Sequence, residues 1–192
     1  MRGMKILVID PKCAGIAGDT LLASLIDLLG EPHALDALAD AIRSLDLCRE
    51  FGYEAETVEA GGIAATCLAI EVRGEGGKDA NEILDAAAVT AEAVGLSTGA
   101  RSRVLAVAGD LTAAGQTAAP VETIFSVVGT MLLLDRAGLL EGTIVSTPPA
   151  LGGGTIRTEY GEIPGPAPAT LDILARHRLP VAAAPIDRGL TT

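Results

Sequence analysis

The spacing of apolar residues changes several times along this chain, and each change marks an expected strand or helix. A β-branched run from Lys5 to Asp10 stops at Pro11 and predicts a buried strand. A glycine loop follows, and Asp19 is placed to cap a helix whose leucines and isoleucines recur at helical spacing until Gly30. Pro32 then suits the first turn of a second helix.

The middle of the chain begins with a different period. Between Tyr53 and Val72, apolar residues alternate around Gly61 and Gly62, which predicts a β-hairpin. Composition and capping residues then predict three helices, over 79–94, over about 99–114 after a Ser97 cap, and from Pro120 onward. Helices are therefore expected to dominate this part of the chain.

Prolines and glycines punctuate the last third. A predicted strand from Thr143 to Ser146 ends at Pro148 and Pro149. Further expected elements are a strand at 155–158, a turn at Gly161, a rigid lead at 164–168 into a helix at 169–177, and a strand at 181–186. We expect the stretch from Pro148 to Pro168 to be a long irregular connection of the kind that often carries function.

The order of these elements predicts the α/β class, with α+β as the alternative, in a short-stranded sheet with packed helices. At 192 residues the chain is expected to form a single domain over 1–192, with a subdivision near 75–80. Its residues are 49 % hydrophobic but only 2 % aromatic, so alanine, valine, leucine and isoleucine must fill the core.

Charge and cysteine content exclude several classes of function. A net charge of -11 argues against nucleic acid, whose binding requires lysine and arginine to neutralise phosphates. Cys13, Cys48 and Cys67 have no CxxC spacing, so neither a disulfide framework nor a structural zinc site is predicted. Since the sequence also has no signal peptide and no apolar run of membrane-spanning length, we expect a cytoplasmic protein without a membrane segment.

The first candidate site is the junction of strand, glycine loop and helix over 6–29. Free backbone N–H groups and a helix dipole meet there, so Gly15, Gly18, Asp19 and Thr20 are candidate ligand-binding residues for an anion. The alternative is a structural turn with an aspartate cap, since the loop has neither GxxxxGK[ST] nor a full GxGxxG.

The same loop carries a candidate metal set, Asp10, Cys13 and Asp19. Two carboxylates and a thiol suit a metal of borderline softness, such as nickel or zinc, better than magnesium. The alternative assigns them to a strand end, a small buried hydrophobe and a helix cap. His33 and His177 lie in predicted helices without the spacing of a metal cluster or a hydrolase triad.

A second candidate binding segment is the triple glycine Gly152, Gly153 and Gly154 with Arg157. An arginine beside such a turn could hold a carboxylate or phosphate through two hydrogen bonds. The alternative is an ordinary surface arginine on a hairpin. If the first interpretation holds, these residues are expected to face the loop from Gly15 to Asp19.

Several segments together resemble the amino-terminal part of the LarC-type nickel-insertion proteins. DPKCAGIAGDTLLASLIDLLG resembles that family's D-x(4,5)-G-[IA]-[SA]-G-D-M motif and following helix, and GGIAAT its GG-I-S-A-T hairpin. TIFSVVGTMLLLDRAGL is similar to D-[ST]-I-x-D-I-V-G-x(4)-L-D-x-L-G. TPPALGGGTIRTEYGEIPGPAPATLDIL and the closing GLTT resemble two further family motifs, so the resemblance spans nearly the whole chain.

This resemblance implies a part in inserting nickel into a pyridinium bisthiocarboxylate mononucleotide, the precursor of a nickel-pincer cofactor. Full-length members carry a further carboxyl-terminal domain that binds a cytidine nucleotide, so the resemblance also implies a separate partner polypeptide. A metal chelatase, formally a lyase, is expected to act only with that partner, and a homo-oligomer is expected as well.

Departures from the family pattern support another interpretation. GEGGKDANEIL stands where members have a histidine-rich stretch, and the family's H-x-H-E-x-G run is missing before Pro120. Ser126 replaces an aspartate, Tyr160 a histidine and Gly189 a glutamate. The alternative is therefore a non-catalytic binding or assembly module that retains the fold; an unrelated small-molecule enzyme on the same loops is a third hypothesis.

If Arg157 anchors an anionic substrate, its replacement should weaken binding in proportion to one charge-assisted hydrogen bond. Arg157→Ala is expected to remove about 1.5–3 kcal/mol of binding free energy for an anionic mononucleotide, measured by calorimetry. An unchanged affinity would favour the non-catalytic module.

Overall fold

The structure of the chain, a computed structural model, describes residues 5–76, 78–115, 119–158 and 161–184, with the backbone alone at Ala60 and 156–158. Two compact units are present. The first consists of Met1–Ala17, Ala114–Gln116 and Leu139–Thr192, and the second of Gly18–Ala113 and Thr117–Gly138. Residues 75–80, the predicted subdivision, lie inside the second unit.

The described elements include both strands and helices, interspersed along the chain, which confirms the mixed α/β class. In chain order they are β1 (Ile6–Ile9), α1 (Gly18–Leu29), α2 (Asp36–Ser44), β2 (Glu50–Ala60), β3 (Ile63–Arg73), α3 (Ala80–Ala93), α4 (Thr98–Ala113), α5 (Pro120–Arg136), β4 (Thr143–Ser146), β5 (Ala150–Leu151), β6 (Thr155–Thr158), β7 (Gly161–Pro164), α6 (Pro168–Arg176) and β8 (Ala182–Ala183).

Helix α5 is the centre of the second unit. It contacts each of α1, α2, α3 and α4, and its buried residues face several directions, as expected of a helix surrounded by others. Phe125 is fully buried, and its ring centroid lies 5.1 Å from that of Phe51 and 5.3 Å from that of Tyr53. Most of the remaining core is alanine, valine, leucine and isoleucine, as the composition predicts.

The predicted hairpin is confirmed and is longer than the alternating pattern indicates. Strands β2 and β3 pair antiparallel from Glu50 and Arg73 to Ala60 and Ile63. Gly61 and Gly62 both have positive φ, 61° and 80°, as a two-residue hairpin turn of the favoured hand requires. The hairpin contacts α1, α2 and α5, so one of its faces closes the helical core.

Local capping accounts for the well-predicted helices. The Asp79 side chain accepts hydrogen bonds from the first turn of α3, and Glu82 completes a capping box. Ser97 Oγ accepts from Ala100 N at 3.2 Å, while Asp135 on α5 accepts from Ser97 N and Oγ. The predicted start of the second helix is wrong: α2 begins at Asp36, because residues 31–35 form hydrogen-bonded turns.

The described part of the first unit contains three small two-stranded sheets. β1 pairs parallel with β4, β5 pairs parallel with β8, and β6 pairs antiparallel with β7. The expectation of an irregular connection from Pro148 to Pro168 is therefore wrong, and Gly161 begins a strand. The predicted strand at 155–158 is confirmed as β6. Strands β5 and β7 were not predicted, because they are two and four residues long, lie between prolines and glycines and have no periodic pattern. Of the last predicted strand, 182–183 is confirmed, and 185–186 lies outside the described residues.

No helix in the described part of the chain is long and apolar enough to cross a membrane.

Two helical glycines provide a matched test of packing. A Cβ on Gly129 of α5 would lie 3.2 Å from side-chain atoms of Leu22 and Leu38, whereas one on Gly109 of α4 would meet nothing within 4 Å. Gly109→Ala should stabilise the fold by about 0.5–1 kcal/mol through helix propensity. Gly129→Ala should instead destabilise it by about 1–3 kcal/mol, because both leucines must move. Urea unfolding measures both, and an equal gain would contradict this packing.

Candidate functional site

Asp10 lies at the carboxyl edge of the parallel pair β1 and β4, a position where α/β proteins often bind ligands. Its carboxylate accepts hydrogen bonds from the Thr147 hydroxyl, just after β4, and from Lys12 N. These bonds lower the pKa of Asp10 below its ordinary value, the Thr147 bond most. Asp10 is therefore an ionised acceptor that joins the loop after β1 to the end of β4.

The rest of that loop is held by its backbone. Pro11 O accepts from Gly15 N at 3.0 Å and from Ala150 N at 3.1 Å, and Gly15 has a φ of 73° that favours glycine. Cys13 is exposed within this loop, contrary to the alternative that makes it a buried hydrophobe. The loop thus presents a solvent-accessible thiol next to a fixed carboxylate.

The predicted location of Asp19 is confirmed: it lies in the first turn of α1, after a glycine loop that follows a strand. Because the helix begins at Gly18, Asp19 is inside the turn and does not precede it as a cap. Its Oδ1 accepts from Thr20 N at 2.6 Å. A carboxylate in this position interacts favourably with the helix dipole.

Gly18 brings the first turn of α1 against α5. A Cβ at this position would lie 2.9 Å from Ser126 Cβ and 3.2 Å from its Oγ, closer than packed atoms tolerate. Ser126 itself is 9 % exposed. Two segments that are far apart in sequence, the glycine loop and the TIFSVVG run, therefore meet at this contact.

Two more carboxylates lie near this contact. Glu122 is in the first turn of α5, and burial, Asp19 and Glu75, in decreasing order, raise its pKa above the ordinary value. Glu75 Oε1 accepts from Val121 N at 2.6 Å and so occupies the amino end of α5. We call Asp19, Glu75 and Glu122 the carboxylate junction.

Sequence reasoning identified Asp19 but missed the other two. Glu75 lies in a glycine-rich loop and Glu122 follows a proline at a helix start, and neither pattern signals a shared site. The i, i+4 spacing of Glu122 and Ser126, which places both on one side of α5, was the available clue.

The predicted metal set remains a prediction. Asp10 and Cys13 belong to the first unit and Asp19 to the second. Among the residues that the structure describes, no three His, Cys, Asp or Glu side chains are grouped so that they could hold a metal ion. His33 is not helical as predicted but lies in the turns before α2, and His177 is the C-cap of α6.

The triple glycine packs against backbone. Gly165 N donates to Gly154 O at 2.8 Å, and a Cβ on Gly165 would lie 3.0 Å from Gly153 O. Arg157 pairs with Glu162 in the register of β6 and β7. The Arg157 side chain, Tyr160 and Gly189 lie outside what the structure describes, so the expectation that Arg157 faces the glycine loop remains a prediction.

The fold and site define a mixed α/β protein with acidic groups at the facing ends of two packed helices. Comparison with known proteins gives its family: the family described as "Nickel insertion protein" matches residues 7–192, and the chain belongs to it. The predicted resemblance is thereby confirmed. No solved structure matches the chain.

Three relatives, each described as "Putative nickel insertion protein", illustrate the match. The relative from Methanopyrus kandleri is 30 % identical over 88 % of this chain and 44 % of its own length. The relative from Synechococcus sp. (strain JA-2-3B'a(2-13)) is 32 % identical over 98 % of this chain and 50 % of its own length. The relative from Pelobacter propionicus is 35 % identical over 84 % of this chain and 43 % of its own length. The chain thus spans about half the length of these relatives.

The carboxylate junction predicts a measurable coupling. Asp19→Asn should lower the pKa of Glu122 towards its ordinary value, because it removes the larger of two like-charge interactions. Burial, the first cause, is retained, so the pKa should stay somewhat raised. Carboxyl carbon chemical shifts followed by NMR against pH give the value directly.

The same coupling affects stability. A raised pKa means that stability present below the ordinary value of 4.5 is lost as pH rises through the folded-state pKa of Glu122. Asp19→Asn should make this loss smaller, whereas Asp27→Asn, on the same helix, should leave the Glu122 titration unchanged. Identical titration of Glu122 in all three proteins would show that the Asp19 charge does not act on it.

Proposed function

We propose that this chain takes part in nickel insertion and that the negative potential of the carboxylate junction attracts the metal ion as cargo, although its three side chains are not grouped so that they could hold the ion by themselves. The observation that supports this most is the raised pKa of Glu122, which burial raises first and the negative charges of Asp19 and Glu75 raise further. A divalent cation would relieve that repulsion, as a proton does. Family membership gives nickel as the metal.

Weak binding suits such a role. Nickel binds most tightly to imidazole and thiolate ligands, and carboxylates alone hold it loosely, with water completing its coordination. A protein that inserts a metal must also release it, so a loose site next to a stronger acceptor favours transfer. In the first unit, Asp10 and the exposed Cys13 thiol are proposed as separate contacts for the metal.

The acceptor is proposed to be the pyridinium bisthiocarboxylate mononucleotide of the nickel-pincer cofactor. Its anionic groups would be held by the backbone of Gly15, Gly18 and Thr20 and by the triple glycine with Arg157. A cytidine nucleotide is proposed to bind a separate polypeptide similar to the part of the relatives that this chain does not match. On this proposal the chain acts as a metal chelatase only with that partner.

A non-catalytic module is the second candidate, and one observation favours it. Gly18 and Gly129 are both required by helix packing, against Ser126 and against Leu22 with Leu38. These motif glycines would therefore be retained for the fold even if the metal chemistry were lost. The distinction between the two candidates rests on measured metal binding.

Nickel titration of the chain by calorimetry tests the proposal. Wild type should bind weakly, and Glu122→Gln and Asp19→Asn should each weaken binding by about tenfold, or 1.4 kcal/mol. Affinity should also fall on acidification at a higher pH than an ordinary glutamate would give, because the pKa of Glu122 is raised. Glu92→Gln, an exposed carboxylate on α3, is the matched control and should bind as wild type does.

The other outcomes separate the candidates. Loss of binding in Cys13→Ser and Asp10→Ala, with Glu122→Gln unaffected, would move the site to the first unit. No nickel binding by any protein would favour the non-catalytic module. Sub-micromolar binding that survives every substitution would show that the metal binds elsewhere.

A further inference from the structure

The two units differ sharply in how much apolar surface they bury. Among the described residues of the first unit, only Pro11, Ala150 and Gly152 are buried, and α6 has no buried residue. Every other buried hydrophobic residue belongs to the second unit. The described part of the first unit therefore lacks a hydrophobic core of its own.

One sheet face of the first unit is both apolar and uncovered. In the parallel register of β1 and β4, Ile6, Val8 and Val145 lie on one face together with Thr143. Their exposed fractions are 55 %, 63 % and 44 % for the three apolar residues, and Thr143 is exposed too. We call these four residues the β1–β4 face.

Such a face is unusual for parallel strands. Parallel sheets are normally buried on both sides, and their β-branched residues reflect that burial. Ordering each residue costs about 1–2 kcal/mol of conformational free energy, which only buried surface can offset. The sequence of β1 and β4 therefore fits strands that are covered in the working protein.

We propose that the β1–β4 face is the docking surface for a polypeptide similar to the half of the relatives that this chain does not match. Each compared relative has about as much additional chain as it shares with this one, and that additional chain is available to cover the face. The contact is apolar and requires no metal, so it is independent of nickel handling.

Binding without metal tests the proposal. The probe is the unmatched half of the Synechococcus sp. relative, of whose length this chain covers 50 %, expressed by itself. Titrated into the full chain, it should bind and should slow amide hydrogen exchange in 6–9 and 143–146 but not in β2 and β3. Ile6→Thr with Val8→Thr keeps β-branched residues in the strand and should weaken binding about tenfold or more.

A matched control distinguishes the face from general hydrophobicity. Ile63→Thr also removes an exposed strand residue, 72 % accessible, but from the second unit, and should bind as wild type does. Far-UV circular dichroism checks that the probe and each variant fold before binding is measured, and the exchange measurement on wild type needs no variant. Three results would overturn the proposal: a failure of wild type to bind the probe, hydrogen exchange that slows only outside β1 and β4, or a weakening of binding by Ile63→Thr as large as that by the double variant. So would a wild-type dimer that Ile6→Thr with Val8→Thr dissociates, because a second copy would then occupy the face.

Discussion

The close approach of α1 and α2 to α5 is the constraint on which the second unit depends. Gly129 leaves room for Leu22 and Leu38 where a side chain of any size would hold the helices apart. With them apart, the interior around Phe125 would open, and the aromatic contacts that join the hairpin to α5 would weaken. Because only 2 % of the residues are aromatic, the chain has few other aromatic side chains that could replace these contacts.

The same approach creates the candidate site. Gly18 allows the first turn of α1 to reach Ser126, and this places Asp19 near the first turn of α5, where Glu122 lies. Each helix dipole favours a carboxylate in its first turn, yet the carboxylates oppose one another. The raised pKa of Glu122 records the net result: burial and like charge outweigh the stabilisation that the helix end provides.

The elements predicted correctly from the sequence are those whose ends are set by neighbouring residues, through caps and turns. Asp79 and Ser97 cap helices through their own side chains, and Gly61 and Gly62 set a hairpin turn, so the sequence identifies all three. The start of α2 was wrong because proline is also common in turns, and α2 starts only after hydrogen-bonded turns. Of the short strands after Pro148, β5 depends on pairing with the distant β8, which no local period reveals, whereas β6 pairs with the adjacent β7 and was predicted.

For the site, the sequence could indicate single residues but not their grouping. Asp19 was found because it follows a glycine loop, while Glu75 and Glu122 come near it only through the packing of α5.

The two units also differ in what stabilises them. The second unit contains its own hydrophobic core, and its capped helices pack around that core. In the first, the strands have the composition of buried strands without the burial, and Asp10 joins the two strand ends through Thr147 with hydrogen bonds alone. Hydrogen bonds contribute little net stability in water, so they fix the geometry of this unit better than they stabilise it. A unit of that kind fits the proposed docking of a partner, which would complete the core that the described residues of this unit lack.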